Sequence, residues 1–267
     1  NIFCFLYFTY LKFLHQINRM TKQNTTQNSH LLISIERIIR FIPHIYIIFR
    51  SLVRFTNYFE NDFFYFKQIF KNKKINIIDV GASDGISAQF FLRNLNPNNI
   101  FCYEPQKIFL KKLINLKNKN KQLKIFNFGL AEKDAKMNIF YPYIKFFGKK
   151  YSLLTYSFPI KKELEEQIKL DFLIRPKIQK STISVKRFKT IRDKIDLIKI
   201  DTNGSEVQIV KTLKKLIKRD KPILIIENNN IDKIYKLLKN YKYKKYCIIN
   251  DKFTVHKNQN NENIIFK

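Results

Sequence analysis

The amino-acid sequence predicts an α/β fold, a mostly parallel sheet flanked by helices, preceded by a basic helical extension. From Lys74 onward, short apolar runs alternate with amphipathic segments, the pattern of strands joined by helical crossovers. The first apolar run ends in a glycine turn, Gly81 to Gly85, that leads into an amphipathic segment. The length, 267 residues, suits one domain of this kind with extensions.

Ahead of residue 74 the chain reads differently. Residues 1–19 precede the first methionine, Met20, and are expected to be untranslated upstream frame, a cropped anchor or a signal remnant. The apolar stretch 2–14 is too short to span a bilayer as a helix. Residues 31–58 read as one or two helices, with Ile35, Ile38, Ile39, Ile42 and Ile45 on one stripe and Arg37, Arg40, Arg50 and Arg54 elsewhere. Pro43 breaks or kinks that pattern. Such a segment either packs on the following domain or makes peripheral contact with an anionic membrane. The organisation expected is an extension over 1–73 and a domain over 74–267.

Within the domain, strands are expected at 75–80, 100–103, 123–128, 195–200, 223–226, 243–249 and 263–266, with a β extension at 136–141. Helices are expected at 86–95, 106–116, 206–218 and 231–239. The helix over 106–116 should bury Ile108, Leu110, Leu113 and Ile114. Residues 142–180 interrupt the rhythm with Pro142, Gly148, Pro159 and Pro176 and with many aromatics. An insertion of this size is more often functional than idle. It reads as a lid or substrate-recognition segment, the alternative being a disordered basic loop.

The chain carries 51 Lys and Arg against 21 Asp and Glu, a formal charge of +30. Such a surface attracts polyanions, whether nucleic acid, anionic lipid or acidic polysaccharide, or is simply a solvated lysine-rich face. Charge sets association, not chemistry. Cys4, Cys102 and Cys247 are odd in number, with no CxxC pair and no Cys/His cluster. That excludes a disulfide framework, points to no metal site, and suits reduced thiols in a cytoplasmic protein.

The run Ile77-Ile78-Asp79-Val80-Gly81-Ala82-Ser83-Asp84-Gly85-Ile86-Ser87 places two glycines where a buried strand turns into a helix. Ligands sit beyond the carboxyl ends of such strands. Gly81 permits a tight turn and close backbone approach, and Gly85 lets the helix start against it. The spacing is GxxxG, not the GxGxxG that cradles a dinucleotide, so a nicotinamide-dependent dehydrogenase fits poorly. Asp79 suits a cationic ligand better than a phosphate. Glu104 emerges 19 residues after Gly85, where a carboxylate can accept both ribose hydroxyls. Together they outline a ribose carrying a sulfonium, as in S-adenosylmethionine.

These residues resemble the FkbM family of S-adenosylmethionine-dependent methyltransferases. The resemblance rests on Asp79-Val80-Gly81-Ala82, Tyr103-Glu104-Pro105, Ile198-Lys199-Ile200-Asp201-Thr202-Asn203-Gly204-Ser205-Glu206 and Pro222-Ile223-Leu224-Ile225-Ile226-Glu227, and covers about 75–267. It implies a Rossmann-like class I methyltransferase fold with an antiparallel strand near the sheet's end. It also implies S-adenosylmethionine as cofactor and methylation of a hydroxyl on a sugar, glycolipid or secondary metabolite. By position Asp79, Gly81 and Gly85 look like the loop around the methionine moiety, with Ala82 and Ser83 between them, and Glu104 like the ribose ligand, followed by Pro105. Asn203 stands where the family more often has Glu or Gln.

An alcohol must lose its proton during methyl transfer, so a carboxylate beside the acceptor can act as general base. Asp201 at the end of the fourth strand is best placed, with Glu206 and Glu227 next. The alternative for Asp201 is to cap the following helix. His15, His30, His44 and His256 fall outside the motifs, and no histidine base is expected. A nucleic-acid (RNA) methyltransferase is a rival that the charge favours. Enzymes acting on base amino groups, however, commonly carry an Asn/Asp-Pro-Pro-Tyr/Phe run where this chain reads Asp201-Thr202-Asn203-Gly204. A non-catalytic, basic, membrane-associated binding module is the other rival.

Overall fold

The computed structural model describes residues 61–146, 148–172, 175–249, 252–256 and 263–267. The helices expected over 31–58, and His15, His30, His44 and Cys4, lie outside the described residues.

The elements run α1 (Asn61–Ile69), β1 (Lys74–Val80), α2 (Ile86–Asn94), β2 (Asn96–Tyr103), α3 (Lys107–Lys119), β3 (Leu123–Phe126), β4 (Gly129–Ala131), β5 (Ala135–Phe146) and β6 (Lys149–Ser152). A 3₁₀ turn (Leu154–Tyr156), α4 (Lys161–Asp171) and β7 (Lys177–Arg187) follow. The chain closes with β8 (Leu197–Ile200), α5 (Glu206–Thr212), α6 (Lys214–Asp220), β9 (Ile223–Glu227), α7 (Ile231–Leu238), β10 (Lys245–Ile249), β11 (Lys252–Val255) and β12 (Asn263–Phe266).

Eight strands form one sheet in the order β11-β10-β12-β9-β8-β1-β2-β3. β3, β2, β1, β8 and β9 are parallel. β12 enters antiparallel between β9 and β10. The strand runs are largely apolar because both faces are covered, with Asp79 in β1 and Lys199 in β8 as paired exceptions. Ile78, Val80, Phe101, Tyr103, Ile198, Ile200, Leu224 and Ile226 point to one face, under α5, α6 and α7. Their neighbours Ile77, Ile100, Cys102, Leu197, Ile223 and Ile225 point to the other, where α1 supplies Phe63 and Phe66 and α2 supplies Phe90 and Phe91. This strict alternation follows from the two-residue period of a strand. Among the described residues no helix is long and apolar enough to cross a membrane.

A second sheet, β4-β7-β5-β6, stands on the first. β5 and β7 pair antiparallel from Ala135↔Val185 to Tyr143↔Lys177. The described part of 142–180 is therefore hydrogen-bonded structure, not the basic loop that was the alternative. Its core holds Leu153, Tyr156, Leu164, Ile168 and Phe172.

Three local expectations are corrected. Ile108 and Ile114 are 60% and 42% exposed; α3 instead turns Phe109 and Leu113 inward, because Phe109 packs on Tyr141 of β5 and Leu154 of the insertion. The helix expected over 206–218 is two helices that meet at Leu213. At that junction the Thr212 hydroxyl donates to the Gln208 carbonyl at 2.9 Å, the i−4 bond that bends helices. β7 has no counterpart among the expected strands. It carries the polar run Gln179-Lys180-Ser181-Thr182 and buries only Ile183 and Val185.

Candidate active site

A cavity of about 550 Å³ is lined by residues from the carboxyl ends of β1, β2, β8 and β9 and by the second sheet and the 3₁₀ turn. β1 and β8 are neighbours there, and the chain proceeds outward from them on opposite sides, as at other switch points that hold ligands.

The floor is the turn after β1. Gly81 has φ +78°, and a Cβ there would come 1.8 Å from the Asp201 carbonyl oxygen. Two strand-end turns thus touch backbone to backbone, which only glycine permits. Gly85 begins α2 at φ +85°. Ser83 is also left-handed, at φ 48°. Its N–H donates to Glu104 Oε2 at 2.8 Å, and the Gln106 N–H donates to Oε1 at 2.8 Å. Glu104 is 3% exposed, and burial pushes it up to about 7 against these two N–H groups, which favour the ionised form. Pro105 lines the cavity beside it.

Beneath the floor lies a charge cluster. Lys199 Nζ sits 3.4 Å from Asp79 Oδ1, 3.3 Å from Asp201 Oδ2 and 3.3 Å from the Gly81 carbonyl. Ser87 Oγ donates to Asp79 Oδ2 at 2.6 Å. Asp79 is fully buried and Ala82 packs in the core. The cavity wall therefore contains Gly81, Ser83, Glu104 and Pro105, while Asp79, Ala82 and Gly85 shape it from behind.

Beside the glycine turn, the ends of β8 and β9 bring Asp201 and Glu227 to the cavity wall. Asp201 does not cap α5: the N-cap position is Ser205, and the Asp201 carboxylate turns to Lys199. The turn is organised by Glu206, whose Oε1 accepts from the Thr202 N–H, the Thr202 hydroxyl and the Gly204 N–H, each at 3.0 Å. Glu206 is fully buried, and its pKa is raised by that burial against those donors. It holds the loop and does not line the cavity. Glu227 accepts from the Asn203 N–H at 3.3 Å. Burial first, then the charges of Asp201 and Glu206, push its pKa well above the usual carboxylate range. His256, the one histidine among the described residues, is not in the wall.

Three contributors carried no assigned role in the sequence. Lys199 reads there as one base in an apolar run with Asp201 two residues on, and the pairing of β1 with β8 brings Asp79 opposite it. Asn203 adopts φ 52°, which Asn tolerates, and its Nδ2 donates to the Thr155 carbonyl at 3.1 Å. Gln106 donates from Nε2 to the Leu154 carbonyl at 3.2 Å and to Ser157 Oγ at 2.8 Å. Asn203 and Gln106 thus fasten the 3₁₀ turn across the cavity from two strand ends.

The wall fits a nucleoside bearing a sulfonium. Glu104 offers a carboxylate to vicinal hydroxyls, Gly81 gives the close approach that a Cβ would block, and the buried Ser83 Oγ and Gln106 Oε1 have no protein partner. Buried polar atoms of this kind call for a hydrogen-bonding ligand.

The FkbM methyltransferase domain matches residues 79–245, more than half of the chain. Among solved structures, methyltransferase FkbM from Methylobacillus flagellatus KT is 16% identical with a TM-score of 0.46, over 73% of this chain and 44% of that one. The chain thus spans under half the length of that protein. An rRNA methylase from Streptococcus thermophilus is 9% identical with a TM-score of 0.39, over 76% and 89% of the two chains. A Streptococcus mutans protein described as a methyltransferase, solved with SAH bound, is 8% identical with a TM-score of 0.41, over 78% and 98%. No curated protein gives a significant match.

Proposed function

Because the chain belongs to the FkbM methyltransferase family, which uses S-adenosylmethionine, we propose that it methylates a hydroxyl oxygen of a sugar, glycolipid or secondary metabolite. The cofactor, when bound, supplies a methyl group already activated on a sulfonium. Gly81, Ser83, Glu104 and Pro105 are the residues that would hold it. Alignment of acceptor and methyl group then provides much of the acceleration.

The observation that supports an oxygen acceptor is the presence of two carboxylates, Asp201 and Glu227, in the cavity wall beside the glycine turn. An alcohol is a poor nucleophile until its proton leaves, and a carboxylate with a raised pKa is a better base for it than an ordinary one. Glu227, pushed up by burial and by its acidic neighbours, takes that proton. Asp201, held by Lys199 at 3.3 Å, orients the hydroxyl. Glu206 supports both by fixing the loop between them.

The test is incubation of the full chain with labelled S-adenosylmethionine and a cell extract split into lipid, glycan and RNA fractions. Label in an alkali-stable methyl ether of the lipid or glycan fraction is expected. Label in RNA would replace this reading with the nucleic-acid one. Failure of the full chain to bind S-adenosylmethionine by calorimetry would favour the non-catalytic module.

A further inference from the structure

The cavity is chemically unlike the exterior. The chain has 51 Lys and Arg in 267 residues, yet none of the 29 described residues lining the cavity is basic. What the wall does carry is three carboxylates, Glu104, Asp201 and Glu227, and six amide side chains. Lys199, the base beneath the floor, already has Asp79, Asp201 and the Gly81 carbonyl within 3.4 Å.

We propose that the acceptor entering this cavity is an uncharged, multiply hydroxylated group, and that acceptors bearing phosphate, sulfate or carboxylate beside the reacting hydroxyl are rejected. The inference rests on the O-methyl transfer proposed above and narrows its substrate class. Glu104 belongs to the cofactor end; Asp201 and Glu227 belong to the acceptor end, with Asn203, Asn228, Asn229 and Asn263 around them. An anion placed there finds no lining base to pair with, and Lys199 behind the floor carries one positive charge against the two carboxylates of Asp79 and Asp201, so the anion is desolvated against an acidic wall. A neutral polyol meets the reverse. Its hydroxyls donate to carboxylates, and each both donates to and accepts from amide groups.

The proton balance also favours a neutral group. The acceptor hydroxyl gives its proton to Glu227, its oxygen forms a bond to the methyl carbon, and the carbon–sulfur bond breaks with its electron pair left on sulfur. A nearby phosphate would hold the hydroxyl proton more tightly and so oppose its departure. The +30 charge then acts outside the cavity: polyanions bind the exterior and are not methylated.

The experiment separates the glycan and lipid fractions of a cell extract by anion exchange into neutral and anionic pools. Each is incubated with the full chain and labelled S-adenosylmethionine, and the RNA fraction is run alongside. Alkali-stable label concentrated at least about tenfold in the neutral pool is expected. Oxidation of the primary hydroxyls of that pool to carboxylates should remove most of the incorporation. Alkali-stable label in the anionic pool, or label in RNA, overturns the inference; the first leaves O-methyl transfer standing and the second does not. Label that is alkali-labile, or no label in any pool, overturns both. An Asn229→Lys variant that still binds S-adenosylhomocysteine by calorimetry should shift incorporation towards the anionic pool. An unchanged preference in that variant also counts against the proposal.

Discussion

Gly81 is the residue with least latitude. A Cβ placed 1.8 Å from the Asp201 carbonyl at φ +78° forces apart the two turns that form the floor. Gly81→Ala is expected to cost at least about 2 kcal/mol through strain, lower the Tm, and abolish calorimetric binding of S-adenosylhomocysteine. Glu104 makes a pH prediction. Its pKa of about 7 lies above the unfolded value, so the ligand-free folded state binds this proton more tightly, and stability falls as pH rises from the ordinary carboxylate value to about 7. Ribose hydroxyls need the ionised form. Cofactor affinity is therefore full above pH 7 and weakens about tenfold per unit below it, and Glu104→Gln should bind weakly with no such slope. At the acceptor end, Asp201→Asn and Glu227→Gln are each expected to lower kcat by about 10²- to 10⁴-fold, with S-adenosylhomocysteine affinity within a few fold of the parent. Because Glu227 is raised, kcat should rise with pH through a value above the usual carboxylate range, and that limb should vanish in Glu227→Gln. An unchanged turnover in Asp201→Asn, with its thermal melt intact, would remove Asp201 from the mechanism.

At the scale of elements, the loop between β8 and α5 is held by one carboxylate. Glu206 is fully buried and takes the Thr202 and Gly204 N–H groups and the Thr202 hydroxyl. Glu206→Ala strands those donors, at a cost of about 2 kcal/mol or more. The Tm should fall by roughly 4–8 °C, with Glu206→Gln recovering part of it. The sequence reading had put Glu206 among the candidate bases, since an acid near a strand end looks the same whether it faces the cavity or the loop. Strands at the sheet's centre are legible because burial on both faces writes a mainly apolar run, unbroken in 223–226 and interrupted in 75–80 only by Asn76 and Asp79. The inward face of α3 is not, because Phe109 is drawn in by Tyr141 and Leu154, which lie more than thirty residues on in the chain. β7 is missed for the same reason: its partner β5 supplies the bonds that a largely polar strand cannot signal alone.

Over the whole molecule, the +30 charge was the loudest feature of the sequence and says little about the cavity, because composition averages over surfaces that folding separates. Lys199 shows this at closest range: a base within an apolar run and only 5% exposed, it pairs with Asp79 on the neighbouring strand and with Asp201 two residues on, instead of reaching solvent. The closing strand shows the opposite. The sequence over Asn263 to Phe266 reads as a strand, and the structure places it antiparallel between β9 and β10, so it joins the parallel strands to the β10–β11 pair. Ile264, Ile265 and Phe266 are fully buried, and Asn263, paired in register with Glu227, lines the cavity. The proposed acceptor end is thereby coupled to the integrity of the sheet. Phe266→Ala should therefore cost about 3–5 kcal/mol by leaving a cavity between the sheet and its covering helices. Asn263→Ala, at the other end of the strand, should leave the Tm within a few degrees while lowering methyl transfer. A thermal melt and a single-turnover assay on the two variants check the pair; a large Tm loss in Asn263→Ala would mean that the strand's cavity end supports the fold and not the acceptor.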